Sequence, residues 1–391
     1  MTSNELSDKI ILELIFIFLI EIFIFQSNFS YLFLKHSTED KIKEYTSSDY
    51  YSKDKLENTL FIGNGLNRCL QHGFDWANLL KSIADNWQID YYENDEMPME
   101  FERIINEYLQ KFGINSILDA SSYAKKNDVY LDAKMKIAEK INSIEYEHNC
   151  ILKDLPINSI QNIITTNYDR LLEEAIGTEK NFPFPGNTKY LRTKTSTFKD
   201  GSISLFHAHG IIDKPNTICL GYEHYMGVVE HLRHNLNSVD TKTKNMHIYD
   251  ILTGKAPTEN TWAEKFYTSN IAMIGFGLPS CEADIWWLLT HRAYLYNTNY
   301  NGIRDYLINS IVYYDIVPKK DSKQNVVQND TLKKLDKTAY KHHLLKNLHV
   351  VVKPIYIEND SSTYEEKYRK IFKEIEEGLC WPTSSYDEAN T

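Results

Sequence analysis

Six short apolar runs recur along the chain: TLFIG from Thr59, IITT from Ile163, ISLFH from Ile203, NIAMIG from Asn270, INSIVYY from Ile308 and LHVVV from Leu348. Each has the length of a strand, and its continuous hydrophobicity suits burial rather than one wet face. Between them lie stretches with helical spacing, such as Phe101, Ile104, Ile105 and Tyr108. Buried strands alternating with helices predict a mainly parallel sheet. The expected fold is therefore α/β, a Rossmann-like, doubly wound sheet. A helical insertion is expected over about 98–150. The 391 residues allow one large domain with insertions or two domains. The expected boundaries are a hydrophobic segment at 1–36, a polar linker at 37–57, the α/β domain at 58–380 and a polar tail at 381–391.

Several of these runs end in groups able to do chemistry. The first breaks at Gly63-Asn64-Gly65, and the second delivers Thr165, Thr166, Asn167 and Asp169. The third delivers His207, Ala208, His209 and Gly210, and the fourth ends at Gly275-Phe276-Gly277. Ligands of open α/β sheets bind at the carboxyl ends of strands, so TTNYD and FHAHG are expected to floor one site. A strand, a glycine turn and a helix over Leu66–Leu80 form a phosphate-binding geometry, although a lone Gly-x-Gly is also simply a turn. Position 68, where the dinucleotide fingerprint has its third glycine, is Arg68, which disfavours a standard dehydrogenase. An asparagine can hold a hydroxyl or a water by donating and accepting; Asn167 could instead cap the helix expected at Arg170–Ile176. A histidine can take a proton near neutral pH. His207 and His209 share a face by strand alternation unless the strand end splits them, so one of the two is expected to be structural. A His-x-His pair can bind metal, but no third ligand is evident and no metal site is expected. Cys219, Cys281, Trp286 and Trp287 read as packing. These parts together fit cleavage of a nucleotide's glycosidic bond.

The order GNG, TTNYD, HAHG, GFGLPSCEAD resembles the sirtuin-like superfamily of NAD-consuming enzymes, and most of all the bacterial sirtuin-like NAD hydrolases of antiphage defence. The likeness spans roughly residues 58–320. It implies catalytic roles for Asn167, orienting the nicotinamide ribose or the attacking water, and for His209 as base. It implies NAD-binding positions at Gly63, Asn64, Gly65, Asn67, Thr166, Asp169, Gly275 and Gly277. NAD would be the substrate, cut to nicotinamide and ADP-ribose in an abortive-infection response. A homo-oligomer and a phage-derived or protein trigger are the partners it implies. Protein-deacylating sirtuins carry paired CxxC motifs for a structural zinc; the five cysteines here never take that spacing, so no zinc is expected and deacylation is disfavoured. A nucleotide- or ADP-ribose-sensing module without turnover is the reading of a different class.

The formal charge of −11 opposes sequence-independent nucleic-acid binding. Dispersed cysteines favour a reducing, cytoplasmic setting. Residues 10–25, IILELIFIFLIEIFIF, are the one anomaly. They fall short of the roughly 20 apolar residues of a membrane span and contain Glu13 and Glu21, costly at membrane depth. Inner-membrane attachment and a buried or oligomer-forming helix both remain open readings. Locally, a hairpin is expected at 211–220, a loop leading into a hairpin at 181–200, and a helix capped by Ser280 with Glu282 and Asp284 in its first turn.

Overall fold

The computed structural model describes residues 56–69, 76–93, 96–111, 120–144, 151–178, 180–182, 189–241, 245–318, 337–357 and 362–381. The hydrophobic run at 10–25 and Cys150 lie outside them. Within these residues eight strands form one sheet: β1 Glu57–Ile62, β2 Asn162–Thr165, β3 Lys180–Asn181, β4 Ser196–Phe198, β5 Ile203–His207, β6 Ser269–Ile274, β7 Ile311–Pro318 and β8 Val351–Ile357. Their spatial order is β3-β4-β5-β2-β1-β6-β7-β8. Among the described residues the six strands from β5 to β8 run parallel, and only the β3-β4-β5 edge is antiparallel. Counting the parallel strands alone gives the order 3-2-1-4-5-6, that of the doubly wound dinucleotide-binding sheet. Its switch point lies between β1 and β6, where the chain leaves one half of the sheet for the other.

The strand alternation explains both cores. Phe61, Ile164, Phe206, Ile271, Met273 and Tyr313 point to one face, against α6 (Tyr222–Asn237), α7 (His247–Leu252) and α9 (Ala283–Thr298). Leu60, Ile62, Ile163, Leu205, Ile274 and Val312 point to the other, against α5 (Leu171–Ile176) and α11 (Ser362–Glu376). At about 1.5–3 kcal/mol for each large side chain buried, this two-sided packing supplies the main drive for the sheet. The expected doubly wound fold is the one observed.

A third apolar cluster joins α2 (Trp76–Trp87), α3 (Met97–Lys111) and α4 (Ala120–Asn142). Its partners on the sheet side are Tyr168, Ile212, Ile218 and Leu220, all at or just after the ends of β2 and β5. The helical layer therefore covers the rim that carries TTNYD and HAHG. Glu223 N donates to Glu102 Oε1 at 3.1 Å, and Lys126 pairs with Glu223 at 2.7 Å, so α3 and α4 are also tied to the start of α6.

Some local expectations differ. The helix after the glycine turn is a single turn, α1 (Gly65–Arg68), and a separate helix begins at Trp76. Residues 211–220 form no hairpin of strands: an isolated bridge joins Ile211 and Lys214, and a 3-10 turn occupies Pro215–Thr217, because Pro215 supplies no amide to a ladder. Ser280 caps nothing; the helix starts at Ala283 with Glu282 at the N-cap position. The remaining helices are α8 (Lys265–Thr268) and α10 (Lys337–Asn347).

Candidate functional site

The register sets the site. Ile62 pairs with Thr165 and Ile274, and Thr165 pairs with His207. Four strands therefore stop in one row, and GNG, TNYD, AHG and GFG continue from the same carboxyl rim. A cleft of about 910 Å³ opens there, large enough for a dinucleotide by the usual size of ligand pockets. Asn64, Gly65, Thr166, Asn167, Asp169, His209, Gly275 and Gly277 line it. Of the residues expected from the sequence, Gly63 and Asn67 stand one layer behind the lining.

The glycines meet each other. Gly63 N donates to Ile274 O at 2.9 Å, and Gly65 N donates to Gly275 O at 2.7 Å. A Cβ on Gly63 would lie 2.6 Å from Gly275 O, and one on Gly65 would lie 2.8 Å from Gly275 Cα. Gly275 has φ +71°. The two loops thus close over the switch point through backbone contact that any side chain would force apart. These amides are spent on the opposite loop, so what the glycines provide here is close approach, leaving Asn64, Gly65 and the second loop to form the wall.

Asn167 is held from both sides. Its amide N–H donates to Thr165 Oγ1 at 3.0 Å, and its Nδ2 lies 3.5 Å from Gly63 O. Helix α5 is capped instead by Asp169, whose Oδ1 accepts from Leu171 N at 3.0 Å. Asp169 Oδ2 accepts from Asn67 Nδ2 at 2.5 Å, which gives Asn67 a supporting place. Burial pushes the Asp169 carboxyl above its ordinary range, against the pull of Leu171 N–H, His207 and Asn67.

The two histidines diverge because the chain turns immediately after β5. His207 faces α5: its Nδ1 lies 2.9 Å from Asn167 O and its Nε2 3.2 Å from Glu173 Oε1. Burial disfavours its charge, but Glu173 and the carbonyl outweigh burial and raise its pKa. Burial likewise works against Glu173, and His207 outweighs it to hold that carboxyl low. With an acceptor beside each nitrogen, the site favours the charged form of His207, which ties the Asn167 turn to Glu173. His209 faces α9: Nε2 lies 2.8 Å from Asp284 Oδ2, and its ring meets Tyr225 edge-on at 5.3 Å. Burial opposes its charge too, and Asp284 followed by Glu282 raises its pKa. Nδ1 is left to meet a ligand. Gly210 follows with φ +97°, and a Cβ there would lie 2.3 Å from Thr217 O, so only glycine lets the chain fold back beside His209.

Three acidic residues around the cleft carry more weight than their sequence context signals. Glu173 and Asp284 orient the two histidines. Glu282 lines the cleft, and burial, opposed by His209 and reinforced by Asp284, lifts its pKa to about 7. The signal available for the last two was their place in the helix turn just after the GFG loop, which reads equally well as helix-dipole compensation. Asp315 also lines the cleft and is paired with Lys341 at 2.9 Å and His342 at 2.6 Å.

Among the described residues no group of three or more His, Cys, Asp or Glu side chains gathers to hold a metal ion. Cys69, Cys219, Cys281 and Cys380 are unpaired. No helix among the described residues is long and apolar enough to cross a membrane. A search of the curated proteins finds no match. Residues 161–278, from the start of β2 to the loop after β6, match the family model of the SIR2-like domain; this supports the sirtuin-like resemblance and is consistent with NAD-dependent activity.

Proposed function

We propose that this protein is an NAD glycohydrolase that releases nicotinamide and ADP-ribose, and that it serves as an effector of antiphage defence. The observation that carries the reading is that Asn167 and His209, from two different strand ends, line one cleft at the switch point of a sheet with dinucleotide-binding order. In this reading the glycine loops at 63–65 and 275–277 seat the phosphates and the adenosine half, and the nicotinamide ribose lies over Asn167. Thr166 and Asp169 stand beside it on the same rim.

The bond to be cut joins C1′ of the ribose to a cationic pyridinium nitrogen. Nicotinamide leaves as a neutral molecule, so the enzyme's tasks are to hold the sugar, to stabilise its oxocarbenium-like transition state and to place a water. Asn167 can donate to and accept from a ribose hydroxyl or that water. His209, fixed through Nε2 by Asp284, would meet the sugar and water side through Nδ1. Oligomer formation and a phage-derived or protein trigger fit an activity whose consumption of its substrate is toxic; NAD depletion would be the output.

The test is to incubate the full chain with NAD and follow nicotinamide release, with Asn167→Ala and His209→Ala beside the wild type. The reading expects release by the wild type and a fall of at least roughly 100-fold in each variant, the usual lower scale for a lost transition-state hydrogen bond. Tight binding of NAD or ADP-ribose with no product in any condition would favour the sensing module instead.

A further inference from the structure

The contact with Asp284 favours the charged form of His209. Its Nε2 is taken by Asp284, which is fully buried, and the pair raises the histidine's pKa. An imidazolium has no lone pair with which to take a proton. Hydrolysis of NAD nevertheless releases one, because the attacking water must lose an O–H proton as the sugar–oxygen bond forms. With His209 in its charged form, a second group in the cleft has to accept it.

Glu282 is placed for this. It stands at the N-cap of α9, two residues before Asp284, and lines the same cleft as Asn167 and His209. Its carboxylate has no hydrogen-bond partner among the described residues, and Oε2 is buried without one. A half-buried carboxylate left unpaired is costly and is most readily explained by a partner that arrives with the substrate. Charged groups face it from three elements: His209 after β5, Asp284 on its own helix, and Lys341 from α10.

We propose that Glu282 is the proton acceptor for the attacking water, with Asp284 as the positioning residue that keeps His209 a hydrogen-bond donor. The proposal rests on the NAD glycohydrolase reading above. In the step, a water lone pair forms the C1′–O bond, and the C1′–N bonding pair goes to the nicotinamide ring and neutralises it. The water's proton passes to the Glu282 carboxylate and from there to solvent. Charge and atoms balance without any further reactant.

The experiment measures kcat and KM for NAD against pH on the full chain, for wild type, Glu282→Gln, Glu282→Asp and Glu282→Ala. Wild type is expected to show an ascending limb with a midpoint near 7. Glu282→Gln should lose that limb and roughly 100- to 10,000-fold in kcat, with KM changed only a few-fold. Glu282→Asp should restore part of the rate, and added formate should rescue Glu282→Ala, a response that a purely structural role would not give. Wild-type turnover combined with an unchanged rate and limb in Glu282→Gln overturns the proposal and leaves the NAD glycohydrolase reading standing. Failure of the wild type to cleave NAD in every condition overturns both.

Discussion

The Nε2 atom of His209 lies 2.8 Å from the Oδ2 atom of Asp284, a buried contact that joins the turn after β5 to the first turn of α9. The contact converts a strand-end histidine into an oriented, charge-stabilised one. Replacing Asp284 with Asn keeps the shape and removes the charge. Burial, now unopposed by that carboxylate, should drive the His209 pKa down, and a histidine-selective NMR titration of wild type and Asp284→Asn should show the fall directly. If NAD is the substrate, the variant should lose kcat more than it loses affinity, and its pH profile should move with the histidine. An unshifted histidine titration would show that the pair is not coupled in solution.

His207 and Glu173 make a second pair of the same chemistry with a different task. Both side chains are essentially inaccessible, at 0% and 2% exposure, and neither reaches the cleft lining. Removing one partner of such a pair strands a buried charge, so Glu173→Leu should cost on the order of 3–5 kcal/mol in denaturant unfolding. The pH dependence follows from the two shifts. The raised His207 pKa means that its contribution is complete below the ordinary histidine value of 6.5 and is lost as pH rises through the folded value. The depressed Glu173 pKa means that its contribution is complete above 4.5 and is lost as pH falls through the folded value. The difference in stability between wild type and Glu173→Leu should therefore be greatest from about pH 4.5 to 6.5 and shrink on both sides.

The architecture was legible in the sequence because parallel strands are written as continuous apolar runs, and all six became parallel strands of the sheet, the last, β8, as a half-exposed edge and not a buried strand. The rim was legible for a related reason: polar groups directly after such runs have nowhere to go but the carboxyl edge. What could not be read was which partner each group would find there. His207 and His209 are two positions apart, and the resemblance singled out His209, but nothing in the sequence pointed to their partners: the chain turns between them and sends one to α5 and the other to α9. Glu282 and Asp284 looked like ordinary first-turn acids, since only the fold brings α9 beside β5. Gly63 and Asn67 looked like ligand contacts and instead stand behind the wall, Gly63 against Gly275 and Asn67 against Asp169.

The glycine contacts separate packing from ligand binding. Gly63→Ala places a methyl 2.6 Å from Gly275 O and 2.9 Å from the Phe276 ring, and overpacking of this kind typically costs about 1–3 kcal/mol. Gly275→Ala adds the left-handed backbone penalty of roughly 1–2 kcal/mol. Gly277→Ala meets only Pro279 Cδ at 3.8 Å. The first two variants should melt at lower temperature, whereas Gly277→Ala should melt like wild type. A loss of ADP-ribose affinity in Gly277→Ala, measured by calorimetry, would then report a ligand contact at the second loop and not a loosened fold.

Glu282 makes a stability prediction that needs no ligand. Its carboxyl is lifted from 4.5 to about 7, chiefly by burial. A folded-state pKa above the unfolded one means that the folded protein binds the extra proton, so this group's contribution to stability is complete below 4.5 and is lost as pH rises through about 7. Glu282→Gln carries no charge to bury and escapes that loss. The variant should match wild type near pH 4.5 and become progressively more stable than wild type up to about pH 7, levelling off above it. Urea unfolding of both proteins across that range measures the difference. A gain in stability together with a loss of NAD turnover would mark Glu282 as a residue kept for chemistry at the fold's expense; a loss of stability would mean that its carboxylate has a partner in solution and is not held ready for a substrate.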